Sequence, residues 1–224
     1  MASLNLDAIY SYRFDGISHV VKQKVWDQIA EFILNDAVRF RDGEKVASIL
    51  DPACGDGEFL NGCANGDLDL MGCDLRSRST TLHPSINFHQ GYFQTLDFNK
   101  KYDLIWISNL LEHLPSPETL QEFLSHAGNL LSPNGLIVIM GPNIKYCYTD
   151  YWDFADHLLP LSHLTVCEHL LSAGFETLAC TAKFLPYSFR SRLPPSSTLA
   201  RLYLNFPLAW NLLGKQFLIR ARKT

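Results

Sequence analysis

The stretch Ile49–Leu60 constrains the fold of this chain more than any other. An apolar run ends at Asp51, and a small-residue loop, Ala53-Cys54-Gly55-Asp56-Gly57, follows before apolar residues resume. This order predicts a strand, a tight turn and the N-terminus of a helix. In an α/β sheet, such a turn at the carboxyl end of the first strand holds a nucleoside-containing ligand. The two glycines allow close approach of the backbone, because they carry no Cβ.

The spacing of this loop excludes a dinucleotide fingerprint. A Gly-x-Gly-x-x-Gly motif that starts at Gly55 needs a third glycine at position 60, where the chain has Leu60. With an acid before the loop and no third glycine, the stretch resembles the S-adenosylmethionine (SAM) loop of class I methyltransferases. The alternative is an ordinary glycine-rich turn between a strand and a helix.

Length and composition favour a single domain. The chain has 224 residues, of which 47% are hydrophobic, and these can fill one large core. No apolar run is long enough to span a membrane, and residues 1–7 lack the features of a secretory signal. The six cysteines show neither a CxxC pair nor zinc spacing, so we expect reduced thiols and a cytoplasmic location.

Charge is unevenly distributed along the chain. The net charge is −4, yet no Asp or Glu follows Glu176, whereas eight Lys and Arg residues do. This asymmetry indicates an anionic acceptor or a membrane surface near the C-terminal region. The alternative is a solvated basic face that binds no partner. Prolines interrupt the segment, so we expect a basic, aromatic lid rather than one long membrane-bound helix. In that lid, Arg190 or Arg192 would contact the acceptor.

Apolar periodicity predicts alternating strands and helices. The predicted elements are a leading helix at 17–40, strands at 46–51, 69–74, 85–89, 102–107, 136–140, 175–182 and 217–221, and helices at 117–131 and 166–173. This alternation predicts an α/β, Rossmann-like, seven-stranded and mostly parallel sheet with helices on both faces. We expect one domain (1–224) with an N-terminal helical lid (1–45) and a SAM-binding half (46–141). The segments 142–164 and 184–213 depart from this alternation of strands and helices. They are interpreted as irregular acceptor-binding insertions that form a substrate lid.

The resemblance to the SAM loop implies further cofactor residues. Asp74 ends the second strand, where a carboxylate can accept both ribose hydroxyl protons. Tyr92 stands where many methyltransferases have an acid near the adenine, so we expect stacking there. Arg13 is a natural bidentate partner for the SAM carboxylate, with a surface arginine as the alternative. The complete predicted set is Arg13, Asp51, Ala53, Cys54, Gly55, Gly57, Asp74, Leu75, Gly91, Tyr92, Phe93, Asn109, Leu110 and His113.

The whole chain resembles a bacterial class I SAM-dependent methyltransferase family that is often associated with sugar and polysaccharide biosynthesis. The acceptors of that family are diverse, so the resemblance does not fix the substrate. The segment after the fourth strand lacks the Asn/Asp-Pro-Pro-Tyr motif of adenine-N6 DNA methyltransferases, so we expect no nucleic-acid substrate. The matching motifs are Tyr10-x-x-Arg13-Phe14, the glycine loop, Ser108-Asn109-x-Leu111-Glu112-His113-Leu114, Gly141-Pro142-Asn143, Tyr151-Trp152-Asp153-Phe154-x-Asp156-His157, Phe184-Leu185-Pro186-Tyr187 and Leu213-Gly214-Lys215-Gln216-Phe217.

The acceptor is expected to contact the segment after the fifth strand. His157 is the predicted general base and Asp156 its orienting carboxylate, with structural roles as the alternative. We expect O-methylation of a small-molecule or glycan-type acceptor. N-methylation of an amine or peptide-derived natural product, and a non-catalytic SAM-binding protein, are the alternatives. The remaining predicted acceptor residues are Tyr151, Trp152, His163 and Arg192.

One motif raises the question of a metal ion. Asn109-x-x-Glu112-His113 resembles the Glu-x-x-Glu-His metal site of some quinone-biosynthesis O-methyltransferases. Here an asparagine replaces the first glutamate, which weakens the case for a divalent cation that prefers anionic oxygens. We therefore expect no metal, and we assign the segment to packing and contact with SAM.

Overall fold

A central sheet organises the computed structural model, which describes residues 5–13, 16, 18–64, 66–187 and 196–224. Its strands are β1 (Ser48–Asp51), β2 (Asp69–Asp74), β3 (Asn87–Gln90), β4 (Tyr102–Ser108), β5 (Leu131–Pro142), β6 (Phe175–Thr181) and β7 (Gln216–Lys223). The helices are α1 (Leu6–Arg13), α2 (His19–Phe40), α3 (Glu58–Cys63), α4 (Pro117–Asn129), α5 (Ile144–Tyr151), α6 (His163–Ser172), α7 (Ser197–Leu204) and α8 (Pro207–Leu213).

The strand order places a crevice at the middle of the sheet. The order is β3-β2-β1-β4-β5-β7-β6, with β1 to β5 parallel and β7 antiparallel to both of its neighbours. The chain proceeds from β1 outward to β2 and β3, then returns to the other side of β1 at β4. Ligands bind outside the carboxyl ends of the strands at such a reversal. The predicted Rossmann-like, mostly parallel seven-stranded sheet is confirmed.

Each face of the sheet has its own apolar core. The β4 run Leu104–Ile107 is fully buried, as expected of a parallel strand covered on both faces. Ile105 and Ile107 join the core that includes residues of α4 and α6, whereas Leu104 and Trp106 join the core with α2 and α3. This alternation follows from the two-residue period of a strand.

Helix α2 runs between the carboxyl ends of the strands and their amino ends. Beyond its C-terminus, Arg41 is 4% exposed, and its Nη1 donates to the carbonyl oxygens of Asp103 and Asn134 at 3.1 and 3.0 Å. These bonds fix the helix at the amino end of β4. Near its other end, the Nζ of Lys22 pairs with the Oε1 of Glu58 on α3 at 2.5 Å. The N-terminal half of α2 is therefore held beside the carboxyl ends of the strands.

The two segments predicted to be irregular contain short helices, which corrects that prediction. Helix α5 lies within 142–164, and α7 and α8 lie within 184–213. Asn143 caps α5 by accepting from the N–H of Lys145, and Ser196 caps α7 in the same way. Helices of seven or eight residues show only about two turns of periodicity, too few for a clear pattern. Among the described residues, no helix combines the length and apolarity needed to cross a membrane.

Candidate active site

A cleft of about 2130 Å³ opens at the carboxyl edge of the sheet. Asp51 at the end of β1, Asp74 at the end of β2 and Asn109 after β4 line it. Trp26 of α2 and Arg13 of α1 line it as well. Pockets for a single small ligand have volumes of about 300–1,000 Å³. The cleft therefore has room for a cofactor and an acceptor together. All of the predicted cofactor residues except Gly57 line it.

Two left-handed glycines shape the loop after β1. Gly55 has φ +57° and Gly57 has φ +83°, a region that L side chains rarely adopt. A Cβ at Gly57 would lie 2.2 Å from the Cδ1 of Leu82, so this glycine serves packing as well as the turn. The N–H of Cys54 donates to the carbonyl of Cys73 at 2.9 Å and fixes the loop against β2.

Asp74 holds the same loop from the end of β2. Its Oδ2 accepts from the N–H of Gly55 at 2.8 Å, and its Oδ1 accepts from the N–H of Arg76 at 2.9 Å. The side chain stays 14% exposed and lines the cleft. A carboxylate oxygen accepts more than one hydrogen bond, so Asp74 can still accept from ribose hydroxyl groups.

Asp51 is a buried carboxyl group in the lining of the cleft. It is 4% exposed, and its Oδ1 accepts from the N–H of Ala53 at 3.1 Å. Burial raises the pKa of Asp51 to about 8 against the opposing effect of that hydrogen bond, and the charges of Asp74 and Glu58 add to the increase. In the ligand-free protein the Asp51 carboxyl therefore keeps its proton near pH 7. A cationic group of a ligand would reverse this shift.

The loop after β3 brings two aromatic residues into different environments. Tyr92 is 66% exposed and lines the cleft, so its ring is available for stacking. Phe93 is 3% exposed and packs against Phe123 and His126, with ring centroids 4.9 and 4.8 Å away. Most of its surface belongs to the core, although it also borders the cleft.

Asn109 presents a strained turn after β4. It has φ +47°, which is uncommon for a residue other than glycine and clusters at functional sites. Its N–H donates to the carbonyl of Met140 at 2.9 Å, which closes the turn against β5. Asn109 and the following Leu110 both line the cleft.

A polar cluster joins the N-terminal helix to the segment after α5. The Nη2 of Arg13 donates to the Oδ1 of Asp156 at 2.5 Å, and its guanidinium lies 4.6 Å from the ring centre of Phe154. The Nδ1 of His113 lies 2.7 Å from the carbonyl oxygen of Asp156. Burial alone would raise the pKa of Asp156, but the Arg13 hydrogen bond and the nearby His113 hold it below the ordinary value. Asp156 is therefore an ionised partner of Arg13.

His157 does not form the predicted dyad with Asp156. Its ring stacks on Phe154 with centroids 5.0 Å apart, and its buried Nδ1 has no hydrogen-bonding partner among the described residues. Burial and the nearby His113 lower the pKa of His157 to about 4, so the ring is neutral near pH 7. Because the Asp156 carboxylate pairs with Arg13 instead, the predicted orienting role of Asp156 is corrected.

Glu112, His113 and His157 form a further group around the same point. One potential ligand atom from each lies within 4.8 Å of the other two. Glu112 is 2% exposed, burial raises its pKa, and its Oε1 lies 3.8 Å from the Nε2 of His113. Two ligands of one metal ion with bonds of about 2.0–2.2 Å lie roughly 3–4 Å apart, so these separations are compatible with a metal ion but do not require one. The absence of a metal stays a prediction.

Three of the predicted acceptor residues, Tyr151, Trp152 and His163, are not part of the cleft lining. Tyr151 is fully buried, and its hydroxyl donates to the carbonyl of Leu159. Trp152 is 54% exposed outside the cleft, and the ring of His163 lies 18° from parallel to that of Tyr146. These three residues support the fold of the segment, which corrects their predicted place in the cleft. Arg190 and Arg192, like Phe14 of the N-terminal motif, lie outside the described residues.

Tyr187 lines the cleft but is not among the site residues predicted from the sequence. Its ring meets Phe154 edge-on at 5.3 Å, and its buried hydroxyl has no hydrogen-bonding partner within the described ranges. The segment is held because the N–H of Phe184 donates to the carbonyl of Gln216 and the carbonyl of Leu185 accepts from Lys215. Its motif Phe184-Leu185-Pro186-Tyr187 falls in the predicted acceptor-binding insertion 184–213, but nothing in the sequence distinguishes Tyr187 from the other aromatic residues of that insertion.

Comparisons with known proteins agree with this geometry. A family model described as a methyltransferase domain matches residues 24–179. No curated protein matches the chain in sequence.

Solved structures share the fold at low sequence identity. A SAM-dependent methyltransferase from Archaeoglobus fulgidus is 20% identical, with 98% of this chain and 100% of that chain covered and a TM-score of 0.65. The plantazolicin methyltransferase BpumL, solved with a monoazolic desmethylPZN analog and SAH, is 17% identical, with 97% and 90% covered and a TM-score of 0.68. The CcbJ methyltransferase from Streptomyces caelestis is 14% identical, with 90% and 96% covered and a TM-score of 0.63.

The cleft fits the cofactor that this family uses. SAM carries positive charge on its sulfonium and ammonium groups, and such a charge beside Asp51 would stabilise the carboxylate form. Asp74 lines the cleft with oxygens that can accept from ribose hydroxyls. The family match covers more than half of the chain, and the structural neighbours support the fold independently. The chain therefore belongs to the methyltransferase domain family and is a class I SAM-dependent methyltransferase.

Proposed function

We propose that this enzyme methylates a hydroxyl group of a small-molecule or glycan-type acceptor. The observation that carries the proposal is a pair of buried polar atoms in the cleft lining, the Nδ1 of His157 and the hydroxyl of Tyr187. Neither has a hydrogen-bonding partner in the part of the chain that the structure describes. A buried polar atom without a partner costs about 1–3 kcal/mol, so a ligand that supplies the partner is favoured.

The cofactor would occupy the end of the cleft between Asp51 and Asp74. Asp74 would accept from the ribose hydroxyls, and Asp51 would be stabilised as a carboxylate by the positive charge of the ligand. The exposed ring of Tyr92 would stack on the adenine. When bound, SAM supplies an electrophilic methyl group.

The acceptor would occupy the other end of the cleft, beside His157. The neutral ring can accept the hydroxyl proton through Nδ1, but its pKa of about 4 makes it a weak base. Alignment of the acceptor would therefore supply a large part of the rate enhancement. Tyr187 would contribute by a hydrogen bond that fixes the acceptor, and the Arg13–Asp156 pair by holding α1 across the cleft.

N-methylation of a peptide-derived natural product is the second candidate. A structural neighbour, the plantazolicin methyltransferase BpumL, was solved with a desmethylPZN analog, and the two chains align over most of their length. An amine that arrives neutral needs little base catalysis, so a weakly basic His157 is compatible with this reaction.

The substitution His157→Phe tests the proposal and separates the two reactions. Phenylalanine keeps a ring that can stack on Phe154 but removes both nitrogen atoms. With nucleotide sugars, lipid-linked glycans and phenols as acceptors, SAH release should fall by about 10²–10⁴-fold. SAM affinity should stay unchanged. The matched control is His89→Phe, at an exposed residue outside the cleft lining.

Three outcomes decide between the alternatives. An unchanged rate with a hydroxyl acceptor would refute the proposed role of His157 as the base. Loss of SAM binding or of folding in the variant would assign His157 a structural role. Turnover of amines but not of hydroxyl compounds by the wild-type enzyme would establish N-methylation.

A further inference from the structure

Helices α7 and α8 present an apolar surface to solvent. Large side chains here are 46–81% exposed, although an amphipathic surface helix usually turns polar residues outward. Single exposed leucines are ordinary, but a group of them marks contact with another apolar phase. We call this surface the apolar face. It consists of Leu199, Leu202, Phe206, Leu208, Leu212 and Leu213.

The apolar face is not exposed through loose packing. On the inner side of the two helices, Leu204 is buried, and the ring of Trp210 meets Phe184 edge-on at 5.1 Å. The Nε1 of Trp210 donates to the carbonyl of Tyr203 at 2.9 Å, and the Tyr203 hydroxyl donates to the carbonyl of Phe184 at 2.6 Å. The helices are therefore anchored to the core, and the leucines point away from it.

Basic residues accompany the apolar face. No Asp or Glu occurs in the sequence after Glu176. Arg201 lies exposed on α7, and the Nζ of Lys183 donates to the carbonyl of Asn211 on α8 at 3.0 Å. Apolar side chains flanked by cations match an anionic bilayer, whose acyl region accepts the leucines and whose headgroups attract the basic residues.

The apolar face continues into the cleft. Leu199, Leu202, Phe206 and Leu213 belong to the face and also line the cleft. Tyr12 of α1 also lines the cleft and is 78% exposed. An acceptor anchored in a membrane could therefore place its polar end in the cleft while its tail stayed in the lipid.

We propose that the apolar face docks this enzyme on an anionic bilayer surface and that its acceptor is an amphiphile whose polar end enters the cleft from the lipid. The two helices are eight and seven residues long, too short to cross a bilayer, so the face would lie in the plane of the interface. The first part of this proposal, docking on the bilayer, does not depend on the proposed function. The second part, the amphiphilic acceptor, rests on the proposed function, because it names the kind of molecule that carries the methylated hydroxyl group.

Co-sedimentation of the full chain with vesicles tests the docking. The vesicles are phosphatidylcholine alone or phosphatidylcholine with roughly a third phosphatidylglycerol. The double variant Leu208→Gln/Leu212→Gln alters the face at residues that do not line the cleft. The matched control is Leu171→Gln, because Leu171 is 73% exposed on α6, outside the face.

The wild-type protein and the control should bind the anionic vesicles, and the double variant should bind about tenfold more weakly or worse. SAM affinity should be the same for all three proteins. Arg201→Gln should weaken binding to the anionic vesicles and reduce its dependence on salt.

Several outcomes would overturn the docking. Failure of the wild-type protein to bind anionic vesicles would do so, as would equal binding by the double variant. A dimer in ultracentrifugation that the double variant dissociates would assign the face to a second copy of the chain instead.

A separate measurement tests whether the acceptor is an amphiphile. SAH release should be faster with a hydroxyl acceptor on a lipid anchor in vesicles than with the same polar group in solution. Equal rates would overturn the proposal that the acceptor is an amphiphile. If vesicles are bound but no hydroxyl compound is methylated, the proposed function fails and the docking stands.

Discussion

Replacing Asp51 with Asn should stabilise the ligand-free enzyme at alkaline pH and weaken SAM binding. Burial raises the pKa of Asp51 from 3.8 to about 8. The folded protein therefore keeps the proton up to about pH 8, whereas the unfolded chain loses it near pH 4. Because the folded state binds more protons between these values, wild-type stability falls as pH rises from about 4 to about 8 and levels off above.

The size of the effect follows from the pKa difference. The shift is about four units, and each unit is worth about 1.4 kcal/mol, so the upper limit is about 6 kcal/mol. Water penetration and local relaxation reduce the cost of a buried charge, and we expect about 2–4 kcal/mol at about pH 8. Asparagine keeps an oxygen that can accept from Ala53 but carries no charge at any pH.

Urea unfolding followed by tryptophan fluorescence at about pH 5 and about pH 8 measures this effect. The free energy of unfolding of Asp51→Asn should exceed that of the wild type at the higher pH and should depend less on pH. Asp97→Asn, at an exposed carboxylate, is the control and should follow the wild type. Identical curves for Asp51→Asn and the wild type at both pH values would refute the reasoning, as would undiminished SAM affinity in the variant.

Three further predictions follow from the described contacts. Arg13→Met removes the partner of Asp156 and should lower the free energy of unfolding by about 1–3 kcal/mol in urea titrations. Lys100→Met, which breaks a more exposed pair with Asp69, should cost less than about 1 kcal/mol, and an equal loss in both variants would contradict the account. Tyr187→Phe should leave the melting temperature unchanged or raise it, because the hydroxyl has no partner in the described part of the chain, but should increase the acceptor KM severalfold; an unchanged KM would remove Tyr187 from the acceptor site. Dialysis against EDTA should leave turnover unchanged, and a loss that a divalent cation restores would show that the buried glutamate–histidine group binds metal.

The central strands and the glycine loop could be predicted because their signals are local. The predicted strand at 69–74 coincides with β2, and the apolar run after Asp103 coincides with most of β4. Asp51 and Asp74 follow directly from these assignments, since each stands at the end of its strand. The parallel arrangement then brings both acids to the same edge of the sheet.

The acceptor end could not be predicted because it depends on contacts between distant parts of the chain. Arg13 and Asp156 are separated by 143 positions, and nothing local indicates that they pair. Adjacent residues such as Asp156 and His157 suggest a dyad in sequence, but their side chains take different partners. Tyr151 is an aromatic residue of the kind that often contacts ligands, yet its hydroxyl donates to the backbone carbonyl of Leu159.

The central claim is that SAM binds across the ends of β1 and β2, and calorimetric titration tests it most directly. SAM and NAD would each be titrated into the wild type, Asp74→Asn and the control Asp69→Asn, which alters the opposite end of the same strand. The account predicts that the wild type binds SAM but not NAD, and that Asp74→Asn weakens SAM binding by about 1–3 kcal/mol, roughly 5- to 150-fold. The control should match the wild type. Binding of NAD without SAM, or equal SAM affinity in Asp74→Asn and the wild type, would contradict the account.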